Sequence, residues 1–433
     1  MDSGPFTEPL PPAGAAASDR PYAILRNRDF SLYLIARLIA ALGQQMLTVA
    51  VGWELYERTH SPLALGLVGL TQMVPMLLLI LPAGHVADNY QRKRTILGMV
   101  FVAALSSLGL TLISAFRADV RWIYFCLFAA GVARTFLWPA SQAFLPLLVP
   151  RRNFSQAVTW NTGAFHLSSV FGPAAGGALI ALTHRASVVY AINTAATLVC
   201  LTLIALVRSR QPAIVKEEIS LKNLLAGFKF VYSTKIILGT ITLDLFAVLL
   251  GGATALLPVY AKDILRAGPS GLGILQAALP LGSVTSAVYL AHRPALQKAG
   301  HALIWAVTLF GLATIAFGLS KSFWLSLAML FICGVVDNIS VVVRHTLVQL
   351  LTPDEMRGRV SAVNSLFIGT SNELGGFESG FVANLFGPAM GNTISTGAII
   401  SVVSGGVGTI LVVLATALIW PEIRKYGRLD GSA

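Results

Sequence analysis

Leu63-Ala64-Leu65-Gly66-Leu67-Val68-Gly69-Leu70-Thr71-Gln72-Met73-Val74-Pro75-Met76-Leu77-Leu78-Leu79-Ile80-Leu81-Pro82-Ala83-Gly84 is a run of 22 residues without a charge. As a helix rising ~1.5 Å per residue it covers the ~30 Å hydrocarbon core of a bilayer. Backbone N–H and C=O groups find no water there, so a run of this kind has to satisfy them within a helix. Eleven more runs resemble it, and the spans are predicted at 30–56, 63–84, 95–115, 121–149, 155–182, 187–207, 236–261, 271–291, 301–319, 323–350, 358–386 and 395–420. Apolar residues make up 55% of the 433 and charged residues 12%, about half the charged share of a soluble domain. A soluble multidomain reading is excluded, and the predicted fold class is an all-α polytopic membrane protein.

The net charge of +12 has to be placed before it is interpreted. Of the 31 Lys and Arg, 21 fall in loops on the side of the N-terminus, seven in the opposite loops and three inside spans. That asymmetry is the positive-inside rule, and it predicts both termini in the cytoplasm. The basic surplus is therefore a topology signal, and no nucleic-acid partner is expected without a recognition motif. Cys126, Cys200 and Cys333 all lie within spans and read as small packing residues. No metal-ligand spacing is present, so neither a metal nor a cofactor is expected. Residues 1–25 read as a disordered cytoplasmic tail. They lack the basic start of a signal peptide, so the first span is expected to be retained.

The longest polar interruption, near 208–235, divides the spans six and six. The predicted domains are bundles at 26–208 and 236–420, a linker at 209–235 and a tail at 421–433. Within the linker Ile219, Leu221, Leu224, Leu225, Phe228 and Val231 recur near helical spacing, with Lys222 and Lys229 between them. This predicts a helix lying on the cytoplasmic membrane surface or a plain linker helix. The halves repeat. Gly66 to Leu70 with Pro75 matches Gly271 to Leu275 with Pro280, and Pro150, Asn161, Gly172 and Gly177 match Pro353, Asn364, Gly375 and Gly380 at one offset. Gly172/Gly176 and Gly376/Gly380 form Gly-x-x-x-Gly pairs, which let helices approach closely in lipid. Duplicated bundles are the usual build of secondary transporters, with the substrate held between the repeats near the midplane. Ser61-Pro62 predicts the cap of the second span, and Thr352-Pro353-Asp354-Glu355 a capping box before the eleventh.

Gly84-His85-Val86-Ala87-Asp88-Asn89-Tyr90-Gln91-Arg92-Lys93-Arg94 resembles the loop signature of the major facilitator superfamily. Gly84, Asp88, Arg92 and Lys93 match; Asn89 and Gln91 depart from its Arg and Gly. The resemblance implies two pseudo-symmetric six-helix bundles locked on the cytoplasmic side by these residues. Gly172-Pro173-Ala174-Ala175-Gly176-Gly177 looks like the core of the superfamily's antiporter motif, although Thr159 and Ser168 stand where upstream glycines belong. Trp53-Glu54-Leu55-Tyr56 with Thr59 to Gly66, and Pro353 to Val360, resemble the macrolide- and enterobactin-exporter branch. The likeness covers about residues 26–425 and implies a multi-pass protein of the bacterial inner membrane that exports drugs or siderophores.

Ionisable groups inside spans are costly and hence functional candidates. They are Arg37, Glu54, Arg134, Asp244, Asp337, Arg344, Glu373 and Glu378. Arg37 and Glu54 lie close enough to span ends to snorkel. Trp138 and Ser141 share a face with Arg134, and Arg344 shares one with Asp337. Asp337 and Glu373 are expected at comparable depth, either in a static network with Arg344 or as proton carriers. Desolvation and a neighbouring arginine act on a carboxylate in opposite senses, which suits proton exchange. Asp244, Asp337, Glu373 and Glu378 are therefore the candidates for proton coupling. Arg37, Gln44, Arg134, Trp138, Asn161, Gln276 and Arg344 are candidates for the substrate cavity, with Gln45, Thr48, Trp160 and His166 as secondary ones. The resulting expectation is a monomeric, lipid-embedded exporter that exchanges an amphipathic small molecule for protons. Uptake of a metabolite or lipid remains an alternative. A membrane enzyme is a remote one, since no His-x-x-x-His set or interfacial acid–base pair is present.

Overall fold

The computed structural model describes residues 22–208, 221–293, 297–425 and 427. Residues 1–21 of the tail predicted at 1–25, residues 426 and 428–433 of that predicted at 421–433, residues 209–220 of the linker and 294–296 lie outside the described residues, as do the side chains of Ala23, Asp88, residues 221–226 and Lys425. The described chain is helical throughout. The first half holds α1 (Arg28–Thr59), α2 (Pro62–Asn89), α3 (Arg92–Ala115), α4 (Arg121–Phe144), α5 (Phe154–Thr183) and α6 (Ala186–Leu206). Then come α7 (Leu221–Ser233), α8 (Lys235–Leu250), the single turn α9 (Leu257–Val259), α10 (Gly268–Ala291), α11 (Ala299–Leu319), α12 (Phe323–Leu351), α13 (Arg357–Phe386), α14 (Ile394–Ile419) and α15 (Pro421–Lys425). The described helices form twelve antiparallel spans, so α1 begins and α14 ends on one face. The basic loops gather there, and we call it the basic face; the other is the far face.

Local chemistry sets the helix ends. The Asn27 side chain accepts from the amides of Asp29 and Phe30 at 3.0 and 3.2 Å and opens α1. Ser61 accepts from Ala64 N at 3.4 Å with Pro62 at the first helical position, as the sequence predicts. The capping box does not form. Thr352 Oγ1 donates back to the Val348 carbonyl at 2.5 Å, and a 3₁₀ turn, Asp354–Met356, leads into α13. The preceding helix end claims the hydroxyl first.

Eleven of the spans are long and apolar enough to cross a membrane. The twelfth, α13, is long enough at 30 residues but carries Arg357, Arg359, Asn364, Asn372, Glu373 and Glu378. Its polarity fits its position: α13 packs on α2, α8 and α14, so protein surrounds much of it. The seventh span differs from its reading as one helix. Here α8 stops at Leu250, and the chain resumes after Gly251-Gly252 as a 3₁₀ segment, α9 and a π turn over Tyr260–Ile264. A Cβ on Gly252 would collide with the Gly375 backbone of α13 and come 2.8 Å from Ser379 Oγ. Broken backbone is tolerated at membrane depth where protein covers it.

The two halves pack alike. In the first, α1 lies on α5 and α6, α3 on α4 and α6, and α2 on α4. In the second, α8 lies on α13 and α14, α11 on α12 and α14, and α10 on α12. Each pairing is the six-span translation of its counterpart. The bundles meet at two seams, α2 on α13 and α5 on α10, which the same translation exchanges. α5 closes on α1 through small residues: a Cβ on Gly176 would lie 2.9 Å from Met46 Cα, and one on Gly172 3.1 Å from the Leu42 carbonyl. Gly376 is not tightly packed, since a Cβ there meets only Ala255 at 3.7 Å. Its neighbour Gly375 holds that role, facing the Val248 and Leu249 carbonyls.

The linker helix docks on the second bundle. Gly227 of α7 faces the Arg359 backbone, Phe228 meets Phe367 with ring centroids 5.9 Å apart, and buried Val231 joins Ile237, Val348 and Val360. An amphipathic pattern specifies burial of one face, and here α13 and α8 provide the cover.

Candidate functional site

Both seams tighten toward the far face and rest on backbone contacts. In the α2–α13 seam a Cβ on Gly380 would lie 2.6 Å from Gly66 Cα; in the α5–α10 seam a Cβ on Gly177 would lie 3.0 Å from Gly273 Cα. The far end is also clasped by side chains. Tyr56 Oη donates to Asp263 Oδ2 across the bundles. Lys262 Nζ stands 5.9 Å from the ring centroids of both Trp53 and Tyr56, within reach of a cation–π attraction. Gly52 faces Pro258. Beneath this clasp Glu54 is buried at 7% exposure, with Oε1 on Arg58 at 3.2 Å, so it does not snorkel. Its carboxyl group lies beside the buried Tyr190 hydroxyl.

The clasp was not predicted. Trp53 to Tyr56 is legible only as a branch signature, and Lys262-Asp263 as a loop. The available signal was the adjacent charge pair at the end of the seventh span. Tyr56→Phe keeps the ring and removes a hydrogen bond to a charged group, a loss of about 1.5–3 kcal/mol. At roughly 1.4 kcal/mol per decade, a maleimide added at the far face is expected to label a Gln44→Cys probe at least ~10-fold faster. An unchanged rate would show that the clasp does not hold the seam.

The basic-face signature behaves differently. Arg92 Nη1 donates to the Ala143 carbonyl at 3.1 Å, and Lys93 Nζ to the Ala205 and Val207 carbonyls at 2.8 and 2.7 Å. These bonds stay within the first bundle, where the cations serve the C-terminal ends of α4 and α6. A lock between bundles through Arg92 or Lys93 is not what these bonds make. Nothing stands within 4 Å of a Cβ on Gly84, and the Asp88 side chain lies outside the described residues.

Between far-face closure and basic face, charge concentrates at one level. Arg134 is 13 residues from the far end of α4, and Glu373 is 13 from that of α13, about 20 Å deep in each case. Arg134 Nη2 donates to Glu373 Oε1 at 2.7 Å, joining the bundles, and Nη1 donates to Gln72 Oε1 at 3.3 Å. Because the guanidinium reaches the other bundle, its face of α4 borders the space between them. Trp138, one turn nearer the basic face, is 58% exposed. On α1, Gln44 and Thr48 are exposed and Arg37 is half-buried. Asn161, His166 and Gln276 are half-buried. Trp160 meets Tyr22 with ring centroids 6.0 Å apart.

The expected network of Asp337, Arg344 and Glu373 is not assembled as such. Asp337 and Glu373 do share a depth, but Glu373 pairs with Arg134 and Arg344 with Asp244. Arg344 is 7% exposed, so it belongs to the core of the second bundle and not to the cavity lining. Glu378 is half-buried near the far end of α13, with Ser379 Oγ at 3.5 Å. A separate cleft of about 580 Å³ at the α5–α10 seam is walled by Phe171, Ile274, Leu281, Trp324 and other apolar residues. It offers nothing to orient a polar ligand. Arg134, Gln72, Glu373 and Trp138, within about two helical turns of one another in depth, supply a cation, an amide, a carboxylate and an indole face beside the space between the bundles. That set can hold an amphipathic molecule that is part aromatic and part polar.

The family model for transmembrane secretion effectors matches residues 19–416. Over 403 residues the chain is 28% identical to the enterobactin exporter EntS of Citrobacter koseri and 27% identical to that of Escherichia coli O1:K1, covering 92% of this chain and 93% of each relative. Among solved structures, a bacterial homologue of the human lysosomal transporter Spinster superposes with TM-score 0.72 at 13% identity, over 94% of this chain and 97% of that one. The nucleoside transporter NupG gives TM-score 0.71 at 13% identity, over 91% and 100%. At such identities these structures speak to the fold.

Proposed function

Since this chain belongs to the transmembrane secretion effector family of the major facilitator superfamily, we propose that it exports siderophore-like amphipathic small molecules across the bacterial inner membrane in exchange for protons. The basic face is taken as cytoplasmic on the strength of its Lys and Arg surplus. The far-face clasp and glycine seams then close the exterior, and the hollow beside Arg134 and Trp138 loads from the cytosol. Arg37, Gln44, Asn161 and Gln276 complete the proposed lining. The working unit is taken to be a monomer in lipid, and no catalytic role is assigned.

The observation that carries this reading is the Arg134–Glu373 pair at 2.7 Å. It is a charge pair shared between two bundles of matched design, at the depth where the repeats of such transporters hold substrate. A ligand group that competes for Arg134 loosens the bundle interface, and so couples loading to rearrangement. The direction of transport is supported by the full-length likeness to enterobactin exporters.

The test is transport in proteoliposomes with an imposed pH gradient and a panel of drugs and siderophores. Substrate is expected to move against the proton flux and to stop when the gradient is collapsed. Repeating the assay with Asp244→Asn, Asp337→Asn, Glu373→Gln and Glu378→Gln sorts the carboxylates. Gradient dependence that survived all four changes would overturn the proton assignment.

A further inference from the structure

The second bundle holds a charge cluster of its own, apart from the hollow. Asp244 on α8 and Arg344 on α12 are ion-paired, with side chains 10% and 9% exposed. Asp337 lies seven residues before Arg344, hence on the same face of α12. Asp337, Asp244 and Ser340 line one cavity of about 20 Å³ whose other walls are apolar. That space admits a single water. Among the described residues Asp337 accepts no hydrogen bond and meets no cation within ion-pair distance.

The charges around Asp337 can be counted. From α8 comes Asp244; α11 contributes Ala306, Val307 and Phe310, all uncharged. On the α10 side the hydroxyls of Ser283 and Ser286 meet the Gly334 carbonyl and Asn338. On α12 itself the Cys333 thiol lies one turn away and points toward the Phe310 carbonyl at 3.9 Å, while His345 is on an exposed face. The cluster thus holds two carboxyl groups and one guanidinium. An arginine in a protein keeps its proton. With both carboxyls ionised the site carries an uncompensated charge among buried Asp244 and Arg344 and half-buried Asp337, which is costly. One added proton makes it neutral.

We infer that the Asp244–Asp337–Arg344 cluster is a one-proton site, with Asp337 the seat of the proton and the Asp244–Arg344 pair the neighbour that responds to it. This rests on the proton-exchange reading and names the carboxyl group within it. Glu373 is already neutralised by Arg134. Glu378 also lacks a cation, but it has no paired charge beside it to respond to its protonation. Arg344 does respond: its fork of donors can serve two carboxylates, so ionised Asp337 draws the guanidinium from Asp244 and shifts α12 against α8.

Infrared difference spectra of the full chain in phosphatidylethanolamine–phosphatidylglycerol vesicles, taken between about pH 6, where carboxyl groups that titrate near the ordinary value of about 4 are already ionised, and alkaline buffer, test this without a substrate. The carboxylic-acid carbonyl band is expected to vanish in Asp337→Asn and to persist in Glu373→Gln and Glu378→Gln. Asp337→Glu is expected to restore the band at a shifted frequency, which guards against a merely misfolded Asn variant. Asp244→Asn frees Arg344 for Asp337, and the band is expected to be lost there too. A band that persists in Asp337→Asn, or is lost in Glu378→Gln instead, overturns the inference. Wild-type transport without gradient dependence, in a protein whose band still requires Asp337, sinks the exchange reading and leaves the site. Gradient-driven transport with a band indifferent to Asp337 does the reverse.

Discussion

Arg344→Gln is expected to destabilise the second bundle by about 3–5 kcal/mol, the cost of leaving one member of a buried ion pair without its partner. The guanidinium is nearly sequestered and bonds both Asp244 and the Ser340 carbonyl, the latter at 3.4 Å. Glutamine keeps some polarity and removes the charge, which strands Asp244 beside Asp337. Thermal unfolding of the purified chain, followed by tryptophan fluorescence, should show the loss directly. Two comparisons make the result specific. Asp244→Asn should cost less, because Asp337 faces the same cavity and can take over Arg344. The double change Asp244→Asn with Arg344→Gln should recover much of the loss, since neutral replacement of both members of a buried pair is often tolerated. A double variant no better than Arg344→Gln alone would mean that the pair matters through packing and not through charge.

Gly177→Val is expected to abolish or severely slow transport. A Cβ at that position would lie 3.0 Å from Gly273 Cα and N and collide with the Pro269 carbonyl. The obstruction is backbone, so no rotamer change relieves it. Overpacking of this kind costs about 1–3 kcal/mol, enough to displace a two-state equilibrium roughly 5–150-fold away from the far-face-closed arrangement. Gly66→Val opposes Gly380 in the other seam, where a Cβ would lie 3.1 Å from its Cα, and should act the same way. Gly98→Val is the control, with nothing within 4 Å of its Cβ. Transport rate, paired with far-face labelling of an introduced cysteine, measures both effects. Background is low, because Cys126, Cys200 and Cys333 are all buried. Normal transport in Gly177→Val would remove the seam from the mechanism.

The crossings and their grouping were legible in the sequence because they depend on hydropathy and on a repeat, and both are one-dimensional. The glycines that build the seams were found by the same route: Gly177 and Gly380 occupy equivalent places in the repeat. Partner choice was not legible. Helical periodicity correctly put Asp337 and Glu373 at one depth, but it cannot say which neighbour fills the space beside them. Arg134 therefore reached across to Glu373, and Arg344 found Asp244 on a helix about a hundred residues away. The same limit hid the docking of α7, since the pattern of Phe228 and Val231 serves lipid and protein equally well. The break at Gly251-Gly252 was hidden by hydropathy itself, because both glycines sit within an unbroken apolar run.

That break divides the seventh crossing into a stem and a stopper. The stem, α8, is tied to its own bundle through the Asp244–Arg344 pair. The stopper, from Ala253 to Ile264, is tethered both to α1, through Asp263 and Lys262, and to α11 of its own bundle, where the Tyr260 hydroxyl donates to the Gly318 carbonyl at 2.9 Å. One strand of chain thus answers to two masters. The exterior end of this crossing is held from both sides of the molecule, so parting it from α1 breaks the Tyr56–Asp263 hydrogen bond while Tyr260 keeps the stopper with its own half.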